Sequence, residues 1–145
     1  MLAEAKPVAP DEACYWKGQA QLKLNRPADA AATFAAAAKA YKDSPRMPDY
    51  LLGQADALLA QQKLGEAADL YQQVASRYRK HDSAPRALYN AALTLHNDKR
   101  FDESNALCDK FLADYPADPL APRVLFIAGE SRFVTGDYKA AIPLF

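Results

Sequence analysis

Residues 128–145 read AGESRFVTGDYKAAIPLF, and their arrangement of small and large residues occurs three times earlier in the chain, at intervals of 37 residues. Five unrelated positions share this interval, which is hard to obtain by chance. Internal repeats of roughly 20 to 50 residues are typical of solenoids and related arrays. The five positions hold Gly18, Ala55, Ala92 and Gly129; Ala30, Ala67, Ser104 and Ala141; Phe34, Tyr71, Cys108 and Phe145; Tyr41, Tyr78 and Tyr115; and Pro48, Pro85 and Pro122.

Each repeated position has a packing explanation. Small residues at the first two positions let antiparallel helices approach closely, and the large apolar position fills the groove between one helix pair and the next. The prolines fall in the opening turn of each repeat's first helix, where a missing N–H group costs little. The tyrosines end the second helices. We predict side-chain caps just ahead of the prolines, at Ser44, at Asp82 or Ser83, and at Asp118.

A high alanine content and only five glycines favour helix along the whole chain. The predicted fold class is therefore all-α, with two helices in each repeat. Pro143 falls inside the last predicted helix and should kink or shorten it. We expect the first helices at 12–25, 47–62, 84–98 and 121–135, and the second helices at 28–42, 65–79, 102–114 and 138–145.

The chain divides into a short leader and a repeat domain. Residues 1–11 contain Pro7 and Pro10 and are predicted to form a linker or a disordered leader. The last repeat ends in an apolar run from Ile142 to Phe145 instead of a polar cap, from which we expect a fragment of a longer array. The predicted repeats span about 12–45, 46–82, 83–119 and 120–145.

Charge and hydropathy argue against several classes of partner. Eighteen basic residues balance eighteen acidic ones, so the chain lacks the overall positive charge of a general nucleic-acid or anionic-membrane surface. It contains no run of about twenty apolar residues that could insert into a bilayer. Cys14 and Cys108 should lie more than two repeats apart, too far for a disulfide bond, and are expected to act as small buried apolar residues.

The sequence carries no motif for catalysis, for a cofactor or for a metal. His81 and His96 are the only histidines, and neither stands at a metal-ligand spacing from a cysteine or from the other histidine. Phosphate-binding glycine loops and nucleophile motifs are missing as well. The basic cluster Arg77, Arg79 and Lys80 is interpreted as a solvated helix end favoured by the helix dipole, with nucleic-acid binding as the alternative. We predict that the protein is not an enzyme.

Several segments resemble the tetratricopeptide repeat. Residues 128–129, 136–141 and 145 (AG, GDYKAA and F) follow its pattern of small pair, turn glycine, aromatic, alanine and aromatic. Residues 64–68 (LGEAA) and 101–104 (FDES) look like the same element in the second and third repeats. The resemblance covers roughly residues 12–145. It implies a right-handed α-α superhelix, a solenoid of three and a half to four helix-turn-helix repeats.

The chain departs from the standard repeat at two places. Pro27 stands where an aromatic residue is expected, and the 37-residue interval exceeds the usual 34. The longer interval, with linkers at 43–48 and 115–119, is similar to bacterial cell-envelope members, namely the Tol–Pal-associated cell-division coordinator and the lipoprotein of the outer-membrane β-barrel assembly machinery. This similarity favours the periplasm or cell envelope over the cytoplasm.

In this family the first helices line a concave groove that usually holds a peptide or helix of a partner protein. Chaperone-binding members grip a C-terminal carboxylate with lysine and asparagine, and this chain has Tyr15 and Gln19 at the matching positions of its first repeat. Arg86 and Arg123 could still hold a carboxylate, or they pair with local acids or stay solvated. The resemblance places these residues in the groove: Tyr15, Trp16, Gln19, Leu52, Asp56, Arg86, Tyr89, Asn90, His96, Arg123, Phe126, Glu130 and Phe133.

The leading interpretation is a protein–protein interaction scaffold that binds a partner peptide or helix and belongs to a larger bacterial protein. The alternative is a structural or self-assembly module that positions another domain, with self-association through the apolar C-terminal end. A more distant interpretation makes the repeats an accessory part of an enzyme or of a nucleic-acid-binding protein.

Overall fold

The computed structural model describes residues 9–145, and this range is helical without a strand. Seven α-helices of 14 residues each are followed by one short α-helix and a 3₁₀ turn. In chain order they are α1 (Pro10–Lys23), α2 (Pro27–Ala40), α3 (Met47–Ala60), α4 (Leu64–Arg77), α5 (Ala84–Asn97), α6 (Phe101–Asp114), α7 (Ala121–Val134), α8 (Tyr138–Ala141) and the 3₁₀ turn Ile142–Leu144.

The helices recur at the interval found in the sequence. The predicted helices are confirmed, with α1 to α7 differing from the expected ends by at most two residues. Helix α1 already begins at Pro10, so residues 10 and 11 of the predicted leader are helical, and residues 1–8 lie outside the described residues. The prediction of one continuous helix over 138–145 is wrong. As expected from Pro143, which cannot donate a backbone hydrogen bond, α8 stops at Ala141 and a 3₁₀ turn follows.

Each helix pair turns through one residue in the left-handed conformation. Asn25, Gln62, Lys99 and Gly136 have φ angles of 54°, 62°, 61° and 84°, and they too are 37 residues apart. In every case the next N–H group donates to the carbonyl five residues before it, at 2.9 to 3.0 Å. This Schellman arrangement satisfies carbonyl groups at the helix end and commonly has glycine at the left-handed position. Three of the four turns therefore have a residue other than glycine at this position. Gln62 and Lys99 are strained there, whereas asparagine tolerates the conformation better.

A second repeated turn joins one helix pair to the next. The N–H groups of Ser44, His81 and Asp118 donate to the tyrosine that follows each second helix, which confirms the tyrosine positions as helix ends. The same three side chains accept from the N–H two residues further on, at 3.2, 3.3 and 2.8 Å. The prediction that Ser44 and Asp118 cap helices is wrong, because they brace the turn before the helix. Ser83 occupies the N-cap of α5 without a capping bond.

Small and large repeated positions meet between the helices, as predicted. The ring of Phe34 lies between Gly18 of α1 and Gly53 of α3, and a Cβ atom on either glycine would stand 2.5 Å from that ring. The ring of Phe145 takes the corresponding place on Gly129, where a Cβ atom would stand 2.9 Å away. Glycine occurs where the opposing residue is phenylalanine, so the helix spacing depends on the absence of a side chain.

The first helices of the repeats (α1, α3, α5 and α7) form an inner row. Within this row α1 contacts α3 and α5 contacts α7, whereas α2, α4 and α6 pack chiefly against the inner helices on either side of them. An array curves toward its more closely spaced row, so the inner row lines the concave face. On the outer row, an open cavity of about 430 Å³ lies between α4 and α6, in agreement with the wider spacing there.

Two expectations drawn from composition can be compared with this fold. No helix among residues 9–145 is both long enough and apolar enough to cross a membrane. Both cysteines are free thiols. Cys108 is fully buried, and burial raises the pKa of its thiol to about 11, whereas Cys14 is only half-buried. The predicted role of a small buried apolar residue therefore applies to Cys108 alone.

Replacing Lys99 with glycine should stabilise the protein. The left-handed conformation costs a non-glycine residue roughly 1–2 kcal/mol, and part of the gain is offset by the greater freedom of glycine in the unfolded chain. We expect the free energy of unfolding in urea to rise by about 0.5–1 kcal/mol. The reciprocal change Gly136→Ala should lower it by about 1 kcal/mol. A Lys99→Gly protein less stable than its parent would contradict this account of the turn.

The change Gly18→Ala should destabilise the protein by about 1–3 kcal/mol, because the added methyl group overlaps the Phe34 ring. Gly65→Ala is the matched control. It also adds a methyl group to a helix, but the nearest side-chain atom, Arg100 Nη1, is 3.8 Å away, so the better helix propensity of alanine should leave stability equal or higher. Thermal unfolding followed by circular dichroism measures both. Equal melting temperatures would be inconsistent with the close contact.

Candidate functional site

All thirteen residues predicted for the groove lie on the inner row, but they differ in what they contact. Leu52 of α3 is only 2% exposed and belongs to the core, so its assignment to the groove surface is wrong. The reason is its place in the array, since α3 stands between two other inner helices. Of the rest, Tyr15, Trp16 and Gln19 lie on α1, Asp56 on α3, Arg86, Tyr89, Asn90 and His96 on α5, and Arg123, Phe126, Glu130 and Phe133 on α7.

Near α1 the inner face is occupied by the chain itself. The Arg46 guanidinium lies 5.4 Å from the centre of the Tyr15 ring and pairs with Glu12 at 2.9 Å. Tyr15 also packs edge-on against Trp16, with ring centres 5.1 Å apart. Tyr15 and Gln19 are half-buried, whereas Trp16 is 57% exposed. Tyr15 therefore serves the packing of α1 on α3 and does not line an open groove.

A polar cluster lies between α3, α4 and α5. The Tyr71 hydroxyl reaches inward from α4 and donates a 2.5 Å hydrogen bond to Asp56 Oδ1. Burial raises the pKa of the Asp56 carboxyl, while that hydrogen bond and the charge of Arg86 oppose the shift. Asn90 stands beside the same hydroxyl. Three predicted residues thus meet around Tyr71, for which the sequence pattern predicted packing alone. The sequence did offer one signal: Tyr71 is the only residue with a hydroxyl group at its repeated position, and a buried hydroxyl needs a hydrogen-bond partner.

An apolar groove, here called the inner groove, separates α5 from α7. Its volume is about 390 Å³, and Phe126 beside it is 54% exposed. Charged side chains of opposite sign, Arg123 and Glu130, stand along it. Pro122 was missed by the sequence reasoning, because its repeated position was explained by the helix start alone. The lining residues are Tyr89, Leu93, Pro122, Arg123, Phe126, Ile127 and Glu130.

Arg86 and Arg123 occupy equivalent positions on α5 and α7, and both are exposed. Within residues 9–145, neither guanidinium has a carboxylate within 4.0 Å. Arg46, by contrast, pairs with Glu12 at 2.9 Å. Arg86 nonetheless acts electrostatically on the nearby Asp56, so only Arg123 lacks any interaction with a local acid in the described part of the chain.

His96 joins α5 to α7 at the edge of the inner groove. Its Nδ1 shares a 2.8 Å hydrogen bond with Ser131 Oγ, and its Nε2 lies 3.9 Å from Glu130 Oε2. The imidazole also packs edge-on against Phe101, with ring centres 5.3 Å apart. His96 thus connects two inner helices and does not stand free in the groove. Ser131 is fully buried, and a lone serine within a helical pattern offered no sequence signal for this contact.

A second apolar pocket, here called the end pocket, lies on the far side of α7 and has a volume of about 310 Å³. Phe126 packs edge-on against Phe145 with ring centres 6.0 Å apart, and Phe133 against Tyr138 at 5.3 Å. Both phenylalanines of α7 nonetheless remain more than half exposed. Phe133 therefore belongs to this pocket and not to the inner groove. The lining residues are Phe126, Glu130, Phe133, Val134 and Phe145.

The chemistry of this face suits binding. Across residues 9–145, no group of three or more His, Cys, Asp or Glu side chains is arranged to hold a metal ion. Apolar surface rimmed by charged side chains is instead the composition found at protein-interaction hot spots.

Two tetratricopeptide repeat models match the sequence, one over residues 15–80 and the other over residues 86–118. Together these ranges cover more than half of the chain. The chain belongs to the tetratricopeptide repeat family. Tetratricopeptide repeat proteins are generally non-enzymatic scaffolds for protein–protein interaction. The two models do not distinguish subfamilies, so the likeness to the Tol–Pal-associated and β-barrel-assembly members stays a prediction.

Solved tetratricopeptide-like arrays share the fold of this chain. One, from a Podosopora anserina chain assigned as a kinesin light chain, has a TM-score of 0.76 at 15% identity and covers 97% of this chain and 76% of its own. BtubC (BKLC) from P. vanneervenii has a TM-score of 0.78 at 16% identity, covering 97% of this chain and 63% of its own. Such identities show the fold alone, which confirms the predicted helical repeat superhelix. No curated protein sequence matches the chain.

The change Asp56→Asn should raise stability at neutral pH. The amide oxygen can still accept from Tyr71, and the uncharged side chain avoids the burial cost that raises the pKa of Asp56. A carboxyl whose pKa is raised by folding destabilises the protein when ionised, and stability is regained as the pH falls through that pKa. The difference in melting temperature between Asp56→Asn and the parent should therefore be largest at pH 7 and shrink toward pH 4.

Asp114→Asn is the control of opposite sign. A hydrogen bond from Lys110 lowers the pKa of Asp114, so its ionised form contributes stability that is present at pH 7 and lost as the pH falls. This variant should melt below the parent at pH 7, by a smaller margin at lower pH. A gain from Asp56→Asn that does not change with pH would rule out the burial of charge as its cause.

Proposed function

We propose that this protein is a scaffold whose inner groove binds a short segment of another protein, in which an apolar side chain stands beside a carboxylate. The observation that carries the proposal is that the inner groove is lined both by the exposed Phe126 ring and by Arg123. The Arg123 guanidinium has no acidic partner within 4.0 Å in the described chain. Other stretches of the inner row lack either the exposed aromatic ring or the arginine without an acidic partner.

The apolar part of the partner is matched by the floor and walls of the inner groove. Tyr89 and Phe126 stand at equivalent positions of α5 and α7, and Leu93 and Ile127 lie between them. Aromatic side chains in a desolvated pocket commonly carry most of the energy of a protein interface. An aromatic or branched aliphatic side chain of the partner fits this chemistry.

The acidic part of the partner is matched by Arg86 and Arg123. A guanidinium group can form two parallel hydrogen bonds with one carboxylate. Because Arg86 and Arg123 are one repeat apart, they present two guanidinium groups on the same face of α5 and α7. Glu130 lies further along α7 and favours a basic or neutral group at the other end of the bound segment. The arrangement of charges therefore gives the partner a preferred direction.

The rest of the inner row is less suited to this role. Near α1, Arg46 covers Tyr15 and its charge is balanced by Glu12. On α3, Leu52 is in the core and Asp56 is engaged by Tyr71. From the linker resemblance alone, we also propose a bacterial cell-envelope location, which fractionation of cells producing the natural protein would test.

Selection of displayed peptides tests the groove directly. A library of random 12-residue peptides on phage is selected against the immobilised chain, and the recovered sequences should share an aromatic or aliphatic residue next to aspartate or glutamate. One recovered peptide, synthesised with a fluorophore, is then titrated against variants. Arg123→Gln should weaken binding at least ~10-fold, because a charge-assisted hydrogen bond contributes about 1.5–3 kcal/mol. Phe126→Ala and Tyr89→Ala should each weaken it about 30-fold, the effect of losing a hot-spot residue.

Arg77→Gln is the matched control for this series, because Arg77 is an exposed arginine on the outer helix α4. Its affinity should equal that of the parent, and circular dichroism should show unchanged helix content in all variants. Peptides whose binding survives Arg123→Gln and Phe126→Ala together would locate the interaction outside the inner groove.

A further inference from the structure

One carboxylate of the inner row, that of Asp56, has no basic side chain close to it. Elsewhere on this row, Glu12 lies 2.9 Å from Arg46, and Glu130 faces the imidazole of His96 at 3.9 Å. Within residues 9–145, no nitrogen of a basic side chain comes within 4.0 Å of Asp56. The charge of Asp56 is therefore left without an ion pair in the described part of the chain.

The repeat register places Asp56 on the same surface as the inner groove. Asp56 is equivalent to Leu93 one repeat later and to Glu130 two repeats later, and both of these residues line the groove. Its neighbour Asn90 is equivalent to Ile127, which lines the groove as well. Equivalent positions of the inner helices point toward the same side of the array. The polar cluster around Tyr71 therefore continues the binding surface from the inner groove across α5 to α3.

The contacts of Asp56 hold its carboxylate in place and leave one oxygen free. The Tyr71 hydroxyl donates to Oδ1. Burial and the charge of Asp56 raise the pKa of Tyr71, so this hydroxyl stays protonated and remains the donor. The other oxygen, Oδ2, accepts no hydrogen bond within residues 9–145 and is open to solvent. A group of a partner protein can therefore approach Oδ2 without displacing Tyr71.

Burial distinguishes Asp56 from an ordinary surface carboxylate. The side chain is half-buried, and burial raises its pKa, so the ionised form lowers the stability of the free protein. Arg86 reduces this cost without removing it, because its guanidinium is exposed and lies more than 4.0 Å from the carboxylate. Charged groups held at a cost in stability are common at functional sites.

We propose that Asp56 binds a lysine or arginine side chain of the partner segment whose acidic group is held by Arg123. This inference rests on the proposed function of the inner groove, and it adds a basic residue to the description of the partner. A cation suits the site better than a neutral donor does. It offsets the cost of burying an ionised carboxylate, for which the described chain supplies no nearby cation.

The positions of Asp56 and Arg123 set the spacing of the two charges in the partner. Asp56 lies on α3 and Arg123 on α7, and α5 stands between them. Neighbouring helices pack about 8–10 Å apart, so the two side chains are on the order of 20 Å apart across the inner row. An extended segment rises about 3.3 Å per residue. The basic residue of the partner should therefore stand about six residues from the acidic one, with the apolar residue between them.

The peptides selected on phage provide the first test, because they should carry lysine or arginine about six residues from the acidic residue. One lysine-containing peptide, and the same peptide with that lysine replaced by methionine, are titrated against the parent and Asp56→Asn. Asp56→Asn should weaken the lysine peptide at least ~10-fold, the effect of losing a hydrogen bond between charged groups. It should leave the affinity of the methionine peptide unchanged. Because this variant is expected to be more stable than the parent, unfolding would not account for weaker binding.

Two other acidic residues supply the controls. Asp69→Asn removes the same charge from an exposed position of the outer helix α4, and it should bind both peptides as the parent does. Glu130→Gln removes the carboxylate that lines the inner groove itself. It should preserve the difference in affinity between the two peptides. A difference that disappears in Glu130→Gln and survives in Asp56→Asn would overturn the assignment to Asp56, and so would equal binding of both peptides by the parent.

The failure of this inference can be told apart from the failure of the proposed function. If Arg123→Gln and Phe126→Ala weaken the lysine peptide while Asp56→Asn does not, the inner groove is the binding site and the role of Asp56 is wrong. If neither Arg123→Gln nor Phe126→Ala changes the affinity, the proposed function itself is wrong.

Discussion

The close approach of neighbouring helices across a residue with little or no side chain is the contact on which the rest of this structure depends. Phe34 lies between two glycines from different helices, and Phe145 lies on a third. Such a contact sets the distance between helices, and the 37-residue interval then reproduces it along the chain. A single pair of 14-residue helices could not bury its apolar face alone, so the stability of the protein arises from the stacking of one helix pair on the next.

The same stacking decides which part of the inner face is open. Where α1 and α3 meet, Arg46, Tyr15 and Glu12 are used to join one repeat to the next. Between α5 and α7, the equivalent positions leave Phe126 exposed and Arg123 without an acid within 4.0 Å in the described chain. Binding surface and packing surface are thus alternative uses of the same repeated positions, and the choice depends on the neighbouring helix.

The sequence predicted the features that depend on neighbouring residues in the chain and missed those that depend on contacts between helices. Helix ends were predicted within two residues for α1 to α7, because proline, tyrosine and small residues act locally and recur at one interval. Leu52 was misassigned because a position on the inner face does not reveal its depth in the array. The role of Tyr71 was incomplete, since its hydroxyl meets Asp56 across a contact between helices. Ser131, bonded to His96, gave no signal for the same reason.

The amino-acid sequence by itself determined that this protein is an all-helical array of repeats, together with the order of the helices and their approximate ends, since these follow from periodic local chemistry. The left-handed conformation of Asn25, Gln62 and Lys99 was not predicted, because these residues carry side chains where only Gly136 shows the usual glycine. Only the tertiary structure decided which equivalent residues are buried, paired or exposed. That outcome depends on the helices packed against each residue, and identical positions in the repeat have different neighbours.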